Sequence, residues 1–272
     1  MKTLYVSDLD GTLLNQNDSL SKYTIDTLNR LVDQGMLFTY ATARSLASAS
    51  IVTKGLNTKI PVIAYNGAFI FEPDTGEILS SHYFQKDDIG YIKEELQRFR
   101  ISPFVYSIMK GKQNVAWNPV VVNEGKQRYL SNRKGDKRFH PVNTEEELYD
   151  GEVFYVTCIG ERKELEDAYT KLKQNEALRC TFQQELYRTE YWLEIMPKEV
   201  SKKNGIIELK RILQCDRIVS FGDAINDIPM FQISDECYAV ENAVSELKEI
   251  ATGVIGNNQE DGVVKWLVEY GR

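Results

Sequence analysis

The stretch Leu4-Tyr5-Val6-Ser7-Asp8-Leu9-Asp10-Gly11-Thr12-Leu13-Leu14 decides how this chain is read. Its first four residues form a short apolar run that reads as a buried strand, which puts the two acids at the strand's C-terminal end. Side chains alternate along a strand, so Asp8 and Asp10 point the same way. Two carboxylates on one side of a strand end, with a glycine that lets the backbone turn tightly, concentrate negative charge where folding gains nothing from it. By themselves they are equally readable as an acidic turn.

Outward from this stretch, Ile25, Leu28, Leu31 and Val32 recur at helical spacing over 21–35, and Gly35 stands where a helix should stop. Residues 37–41 read as a second strand. A strand, a helix and a strand make a right-handed crossover with parallel strands. Thr42-Ala43-Arg44 is therefore expected at the same sheet edge as Asp8, where open α/β sheets bind ligands. A helix beginning near Ser45 would offer free main-chain N–H groups to an anion. Residues 61–65 read as a third strand ending at Asn66-Gly67, and 68–71 with 78–80 as a hairpin.

After about Phe84 the pattern changes. A helix over 87–99 leads to strand-like runs at 103–109 and 113–117. A strand at 153–159, a helix at 161–175 and strands at 178–183 and 187–195 follow. Helices followed by paired strands suggest an α+β insertion with a largely antiparallel sheet, placed at 84–190. The parallel pattern then resumes, with a helix over 203–214, a strand at 217–221 that delivers Gly222-Asp223, short strands at 237–240 and 252–255, and a closing helix at 262–270. The insertion thus splits a core formed by 1–83 and 191–272.

Composition narrows the function. With 272 residues, 42% hydrophobic and 27% charged, the chain reads as a soluble globular protein with no apolar run long enough to span a bilayer. The N-terminus shows no apolar signal core, so cytoplasmic location and no membrane partner are expected. A net charge of −7 argues against general affinity for nucleic acid, and the basic stretch at 128–138 reads as a solvated face. Cys158, Cys180, Cys215 and Cys237 are widely spaced and read as reduced. The only histidines, His82 and His140, lie in unrelated settings, against a zinc site or Ser-His-Asp chemistry. No phosphate-binding or dinucleotide-binding glycine motif is present.

The ordered set Asp8-x-Asp10-Gly11-Thr12, Thr42-Ala43-Arg44, Lys202 and Gly222-Asp223-x-x-Asn226-Asp227 resembles the haloacid-dehalogenase-like hydrolase superfamily, and within it the Cof-type sugar-phosphatase branch with a type IIB cap. The resemblance spans nearly the whole chain. It departs at Ala43, where many relatives carry glycine, and around Lys203-Asn204-Gly205. It implies an α/β fold, a Rossmann-like parallel-sheet core with 84–190 as an α+β cap that selects substrate. The implied activity is Mg²⁺-dependent hydrolysis of small phosphorylated metabolites, sugar phosphates first, through an aspartyl phosphate.

In that reading Asp8 is the nucleophile and Asp10 the acid and then the base. Thr42 binds phosphoryl oxygens, and Lys202 neutralises charge on Asp8 and the transferring group, with Lys203 a neighbouring candidate. Main-chain amides around Leu9, Gly11 and Ala43 help hold the phosphate, and Asn226 supports that group or the metal shell. Asp8, the Asp10 carbonyl and Asp223 bind Mg²⁺, with Asp227 acting directly or through water; all-oxygen ligands suit that ion. Arg44 and Asn66 touch substrate or satisfy carbonyls, and Asn242 belongs to a loop near the site. A phosphomutase with the same nucleophile and a non-catalytic phosphometabolite-binding regulator remain as alternatives. The oligomeric state is not legible.

Overall fold

The computed structural model describes residues 1–185 and 188–271. The chain divides into two compact units, Met1–Ser81 with Val200–Arg272, and His82–Glu199.

The first unit is built on a five-stranded sheet whose strands run in the order Gly253–Ile255, Glu236–Val240, Arg217–Gly222, Thr3–Ser7 and Leu37–Tyr40. All pairs are parallel. Such a sheet is covered on both faces, which is why Leu4, Tyr5 and Val6 are buried in succession instead of alternating with polar residues. Thr3–Ser7 is an interior strand, flanked by Arg217–Gly222 and Leu37–Tyr40. The helix expected over 21–35 spans Lys22–Asp33, and the Ser21 hydroxyl accepts the Thr24 N–H at its start.

Val62–Ala64 departs from a simple continuation of this sheet. It touches the parallel layer through a single Ala41–Ile63 bridge and pairs antiparallel with Phe69–Phe71, which in turn pairs with Ile78–Ser81. The Tyr65–Gly67 turn reverses the chain at once, with Asn66 in the left-handed region at φ 55°.

The second unit carries a six-stranded sheet in the order Leu178–Gln184, Tyr191–Pro197, Glu152–Gly160, Phe104–Met109, Lys112–Trp117 and Phe139–Pro141. Neighbours are antiparallel except for the last pair. Ile92 and Leu96 of helix Lys86–Arg98, with Leu165, Ala168 and Leu172 of helix Arg162–Leu172, share one core with Val105, Val156, Leu193 and Ile195 of the sheet.

Three expectations are corrected or qualified here. The second unit extends to Glu199 and not to 190, because Tyr191–Pro197 is hydrogen-bonded between two of its strands. The basic stretch at 128–138 is not simply a solvated face. Lys134 and Lys137 are exposed, but Arg128 pairs with Glu190, Arg138 pairs with Asp136, and the Arg133 guanidinium lies 3.6 Å from the Tyr129 ring centre. The stretch begins inside a helix, Glu124–Ser131, that the sequence reading passed over. For the strand expected at 187–195, Tyr187 lies outside the described residues, and the strand itself is Tyr191–Pro197. Among the described residues no helix is long and apolar enough to cross a membrane.

Candidate active site

The site begins where strand Thr3–Ser7 ends. The Asp8 N–H still donates to the Phe221 carbonyl at 3.0 Å, so Asp8 emerges beside the strand that leads to Asp223. Leu9–Leu13 then forms a tight turn, closed by the Leu14 N–H donating to the Leu9 carbonyl at 2.9 Å. Gly11 makes this turn possible. Its φ is +76°, and a Cβ there would lie 2.2 Å from Asp223 Oδ2. Thr12 Oγ1 donates to Asp223 Oδ1 at 3.0 Å, tying the turn to the neighbouring strand end.

Lys202 opens helix Lys202–Leu213, whose first turn is capped by Ser201 Oγ accepting the Asn204 N–H. Gly67 explains how that helix start sits so close to the Tyr65–Gly67 turn: at φ +97°, a Cβ would fall 2.2 Å from the Ser201 carbonyl oxygen. The Lys202 ammonium lies 2.6 Å from Asp8 Oδ1 and 2.7 Å from Asp227 Oδ1, with the three side chains 1%, 5% and 0% exposed. Between the two candidate lysines, Lys202 is therefore the one buried among the carboxylates; Lys203 is half-exposed. The other Asp227 oxygen accepts the main-chain N–H groups of Asp223 at 2.9 Å and Ala224 at 3.1 Å.

Charge in this cluster does not balance. Asp8, Asp223 and Asp227 each bring a carboxylate oxygen within 4.8 Å of the others. Among the described residues one ammonium, that of Lys202, pairs with Asp8 and Asp227, and Asp223 is bonded to the Thr12 hydroxyl. Burial raises the Asp8 pKa well above its ordinary value; the Lys202 charge opposes this, and Asp227 and Asp223 add to it. Asp223 is pushed up to about 6, by burial first and then by Asp227, with the Thr12 hydrogen bond opposing. For Lys202, burial works against the charge, but Asp227 and Asp8 outweigh it and hold the pKa above that of an ordinary lysine. Such a surplus of buried, oxygen-only negative charge fits a hard divalent cation, which would relieve the repulsion that the lysine leaves.

The remaining predicted residues fall into two groups. Thr42 is buried at the end of the adjacent strand, its Oγ1 accepting the Arg44 N–H at 3.1 Å. The Thr42 and Arg44 carbonyls accept the N–H groups of Asn66 at 2.8 Å and Tyr65 at 3.0 Å. The Asn66 turn is thus zipped to the Thr42-Ala43-Arg44 segment, with Ala43 exposed. The Arg44 guanidinium does not satisfy carbonyls; its Nε donates to both Asp10 oxygens, at 3.0 and 2.9 Å, and its Nη2 donates to Asp10 Oδ1. Asn226 is half-buried in the Ile225–Asp227 turn between the two acids.

Two supports were missed or underweighted in the sequence reading. Asn242 Nδ2 donates to the Gly11 carbonyl at 2.7 Å. Asn258 donates its N–H to Asn242 Oδ1 at 3.1 Å and its Nδ2 to the Leu14 carbonyl at 2.8 Å. Together they hold the turn at its middle, Gly11, and just past its C-terminal end, Leu14. Thr12 lay within the quoted motif, but its partner Asp223 is remote in sequence.

Over residues 5–267 the chain matches the haloacid dehalogenase-like hydrolase family, and it belongs to that family. It is a hydrolase of the phosphatase type. Among similar proteins, a 5-amino-6-(5-phospho-D-ribitylamino)uracil phosphatase of Bacillus subtilis is 27% identical, the match covering 96% of this chain and 95% of the relative. The structure TM0651 from Thermotoga maritima is 26% identical and superposes with a TM-score of 0.80, covering 100% of this chain and 98% of that one. The subclass IIB sugar phosphatase BT4131 shares the fold at a TM-score of 0.74 and 20% identity, over 100% and 99% of the two chains.

Proposed function

We propose that this protein hydrolyses phosphate monoesters of small polyhydroxy metabolites, sugar phosphates first among them, through a phosphate ester on Asp8, with Mg²⁺ as cofactor. The observation that carries the reading is the Asp8 carboxylate at the end of strand Thr3–Ser7, with one oxygen held by Lys202 inside an acidic cluster. Held this way, the carboxylate presents its other oxygen to phosphorus. Lys202 and Thr42 receive the phosphoryl oxygens, with the N–H groups of Leu9, Gly11 and Ala43 as further donors. Asp10 gives a proton to the departing alcohol oxygen and then takes one from the water that cleaves the acyl phosphate.

Mg²⁺ would be held by Asp8, Asp223 and the Asp10 carbonyl, and would screen the nucleophile from the anionic phosphate. Asp227 supports this shell from behind, since Lys202 and two main-chain N–H groups already engage its oxygens. Asn226 steadies the same turn. The unit His82–Glu199 serves to select substrate. Four free cysteines accord with a reducing, cytoplasmic setting.

The relative that acts on a phosphorylated ribitylaminouracil and the fold neighbour that is a sugar phosphatase set the first panel to test. Phosphate release from hexose, pentose and polyol phosphates, with and without Mg²⁺, should identify at least one substrate turned over only with the metal. In ¹⁸O-labelled water the released phosphate should carry label. Efficient isomerisation of a hexose phosphate with negligible label would instead make the protein a mutase.

Folding raises the pKa values of Asp8 and Asp223, so between the unfolded and folded values the native state binds more protons than the unfolded one. Stability from these groups therefore falls as pH rises through the window that ends, for Asp223, at about 6. Mg²⁺ should raise the melting temperature by several degrees at pH ~7.5 and by clearly less at pH ~5.5, where protons compete with it. An equal shift at both pH values, or none, would count against a cation in this cluster.

A further inference from the structure

We infer that Arg44 is the positioning residue for Asp10 and not a ligand of the substrate's phosphate; the inference rests on the proposed reaction, in which Asp10 serves both proton transfers. Every guanidinium nitrogen already has a partner. Nε donates to both Asp10 oxygens, Nη2 donates to Asp10 Oδ1 and lies 3.4 Å from Asp18 Oδ2, and Nη1 lies 3.5 Å from Ser48 Oγ. A planar fork engaged on both oxygens of one carboxylate fixes that carboxylate's plane as well as its place.

The backbone on both sides of the pair is held too. Arg44 donates its N–H to Thr42 Oγ1 and accepts the Tyr65 N–H at its carbonyl. Asp10 is followed by Gly11, whose carbonyl is bound by Asn242. What remains free in Asp10 is the rotation of its side chain, and Arg44 removes it. The Asp10 side chain is 46% exposed and Arg44 21%, so without the guanidinium the carboxylate has solvent to swing into. A surface ion pair of ordinary geometry contributes little. This one differs because an acid-base group must stay within hydrogen-bond reach of the reacting oxygen, and a small displacement is felt in the rate.

The distinguishing experiment compares two esters. 4-Nitrophenyl phosphate has a leaving group that needs no proton, whereas a primary alkyl phosphate needs one. kcat/KM, which reports through the first irreversible step, is measured for both in wild type, R44K, R44Q, D10N and D10N/R44Q, with far-ultraviolet circular dichroism to show that each variant is folded. The R44Q loss on the alkyl ester should exceed its loss on the nitrophenyl ester by about tenfold or more, with R44K between. In the D10N background R44Q should cost less than about threefold further, because both changes remove one function. The competitive inhibition constant of inorganic phosphate should move by less than about threefold, since Arg44 is not counted among its ligands.

Equal losses on the two esters, no loss on either, or phosphate inhibition weakened about tenfold or more would overturn the assignment. Asp8→Asn, run beside these, keeps the two levels apart. Retained turnover in Asp8→Asn would refute the proposed reaction, whereas Asp8-dependent turnover with an unselective R44Q would refute the role of Arg44 alone.

Discussion

Replacing Asp8 with asparagine should reduce phosphate release by at least about a thousandfold while leaving the fold intact. The amide has nearly the carboxylate's volume but no nucleophilic oxygen anion, so the change removes the attacking group without opening a cavity. Its effect on stability should be just as informative. Burial is the largest influence on Asp8 and disfavours its charged form, and Lys202 offsets this only in part while Asp227 and Asp223 add repulsion. Neutralising Asp8 should therefore leave the melting temperature of the metal-free protein unchanged or higher, and Lys202 keeps Asp227 as a partner 2.7 Å away. Activity near wild type with Mg²⁺ present would remove Asp8 from the reaction.

Lys202→Met should act in the opposite direction on stability. It withdraws the one ammonium that lies between Asp8 and Asp227 and leaves two carboxylates, 5% and 0% exposed, without it. Removing one partner of a buried ion pair typically costs about 3–5 kcal/mol, because the charge left behind stays desolvated. The folded-state pKa of Lys202 lies above the ordinary 10.5, so its stabilising contribution is complete at neutral pH and is lost only in strong alkali. The variant should thus melt well below wild type near pH ~7, and its kcat should fall by about a hundredfold or more as the phosphoryl group loses a fixed cation. Denaturant unfolding and steady-state kinetics on the same preparation would check both. Wild-type stability in Lys202→Met would mean that the carboxylates do not need the lysine's charge.

Features set by a few neighbouring residues were open to reading before any fold was known. The apolar run before Asp8, the helical spacing over 21–35 with its stop at Gly35, and the alternation of strand and helix through residue 41 are local signals. The handedness of the crossover then carried Thr42 to the edge where Asp8 emerges, and the Gly222-Asp223 stretch announced itself as another strand end. The helix Glu124–Ser131 gave no such signal. Its mean hydropathy is low and few of its residues are apolar, so no periodic stripe marked it, although Asn123 caps it by accepting the Lys126 N–H. The unit boundary was misplaced because strand pairing, not composition, assigns Tyr191–Pro197 to the second unit.

Partner choice among the polar side chains is where the chain's order stopped being informative. The motif residues were recognisable as a set, and the family resemblance already set Lys202 against the charge of Asp8, but that Lys202 also reaches Asp227, that Arg44 takes both oxygens of Asp10, and that Asn242 holds a carbonyl 231 positions away were not. The expected alternation of Asp8 and Asp10 does not hold, because the strand stops at Ser7 and Asp10 lies inside the Leu9–Leu13 turn, where Asp8 meets Lys202 and Asp10 meets Arg44. A hydrogen bond is won or lost over a few tenths of an ångström and a few tens of degrees. Those are set by how far each strand end overshoots its neighbour, by the left-handed turn at Gly11, and by the close approach of Ser201 to Gly67. The first and the third arise from packing between distant segments, so the residues of the site could be named from the chain, while their pairing is a property of the folded protein.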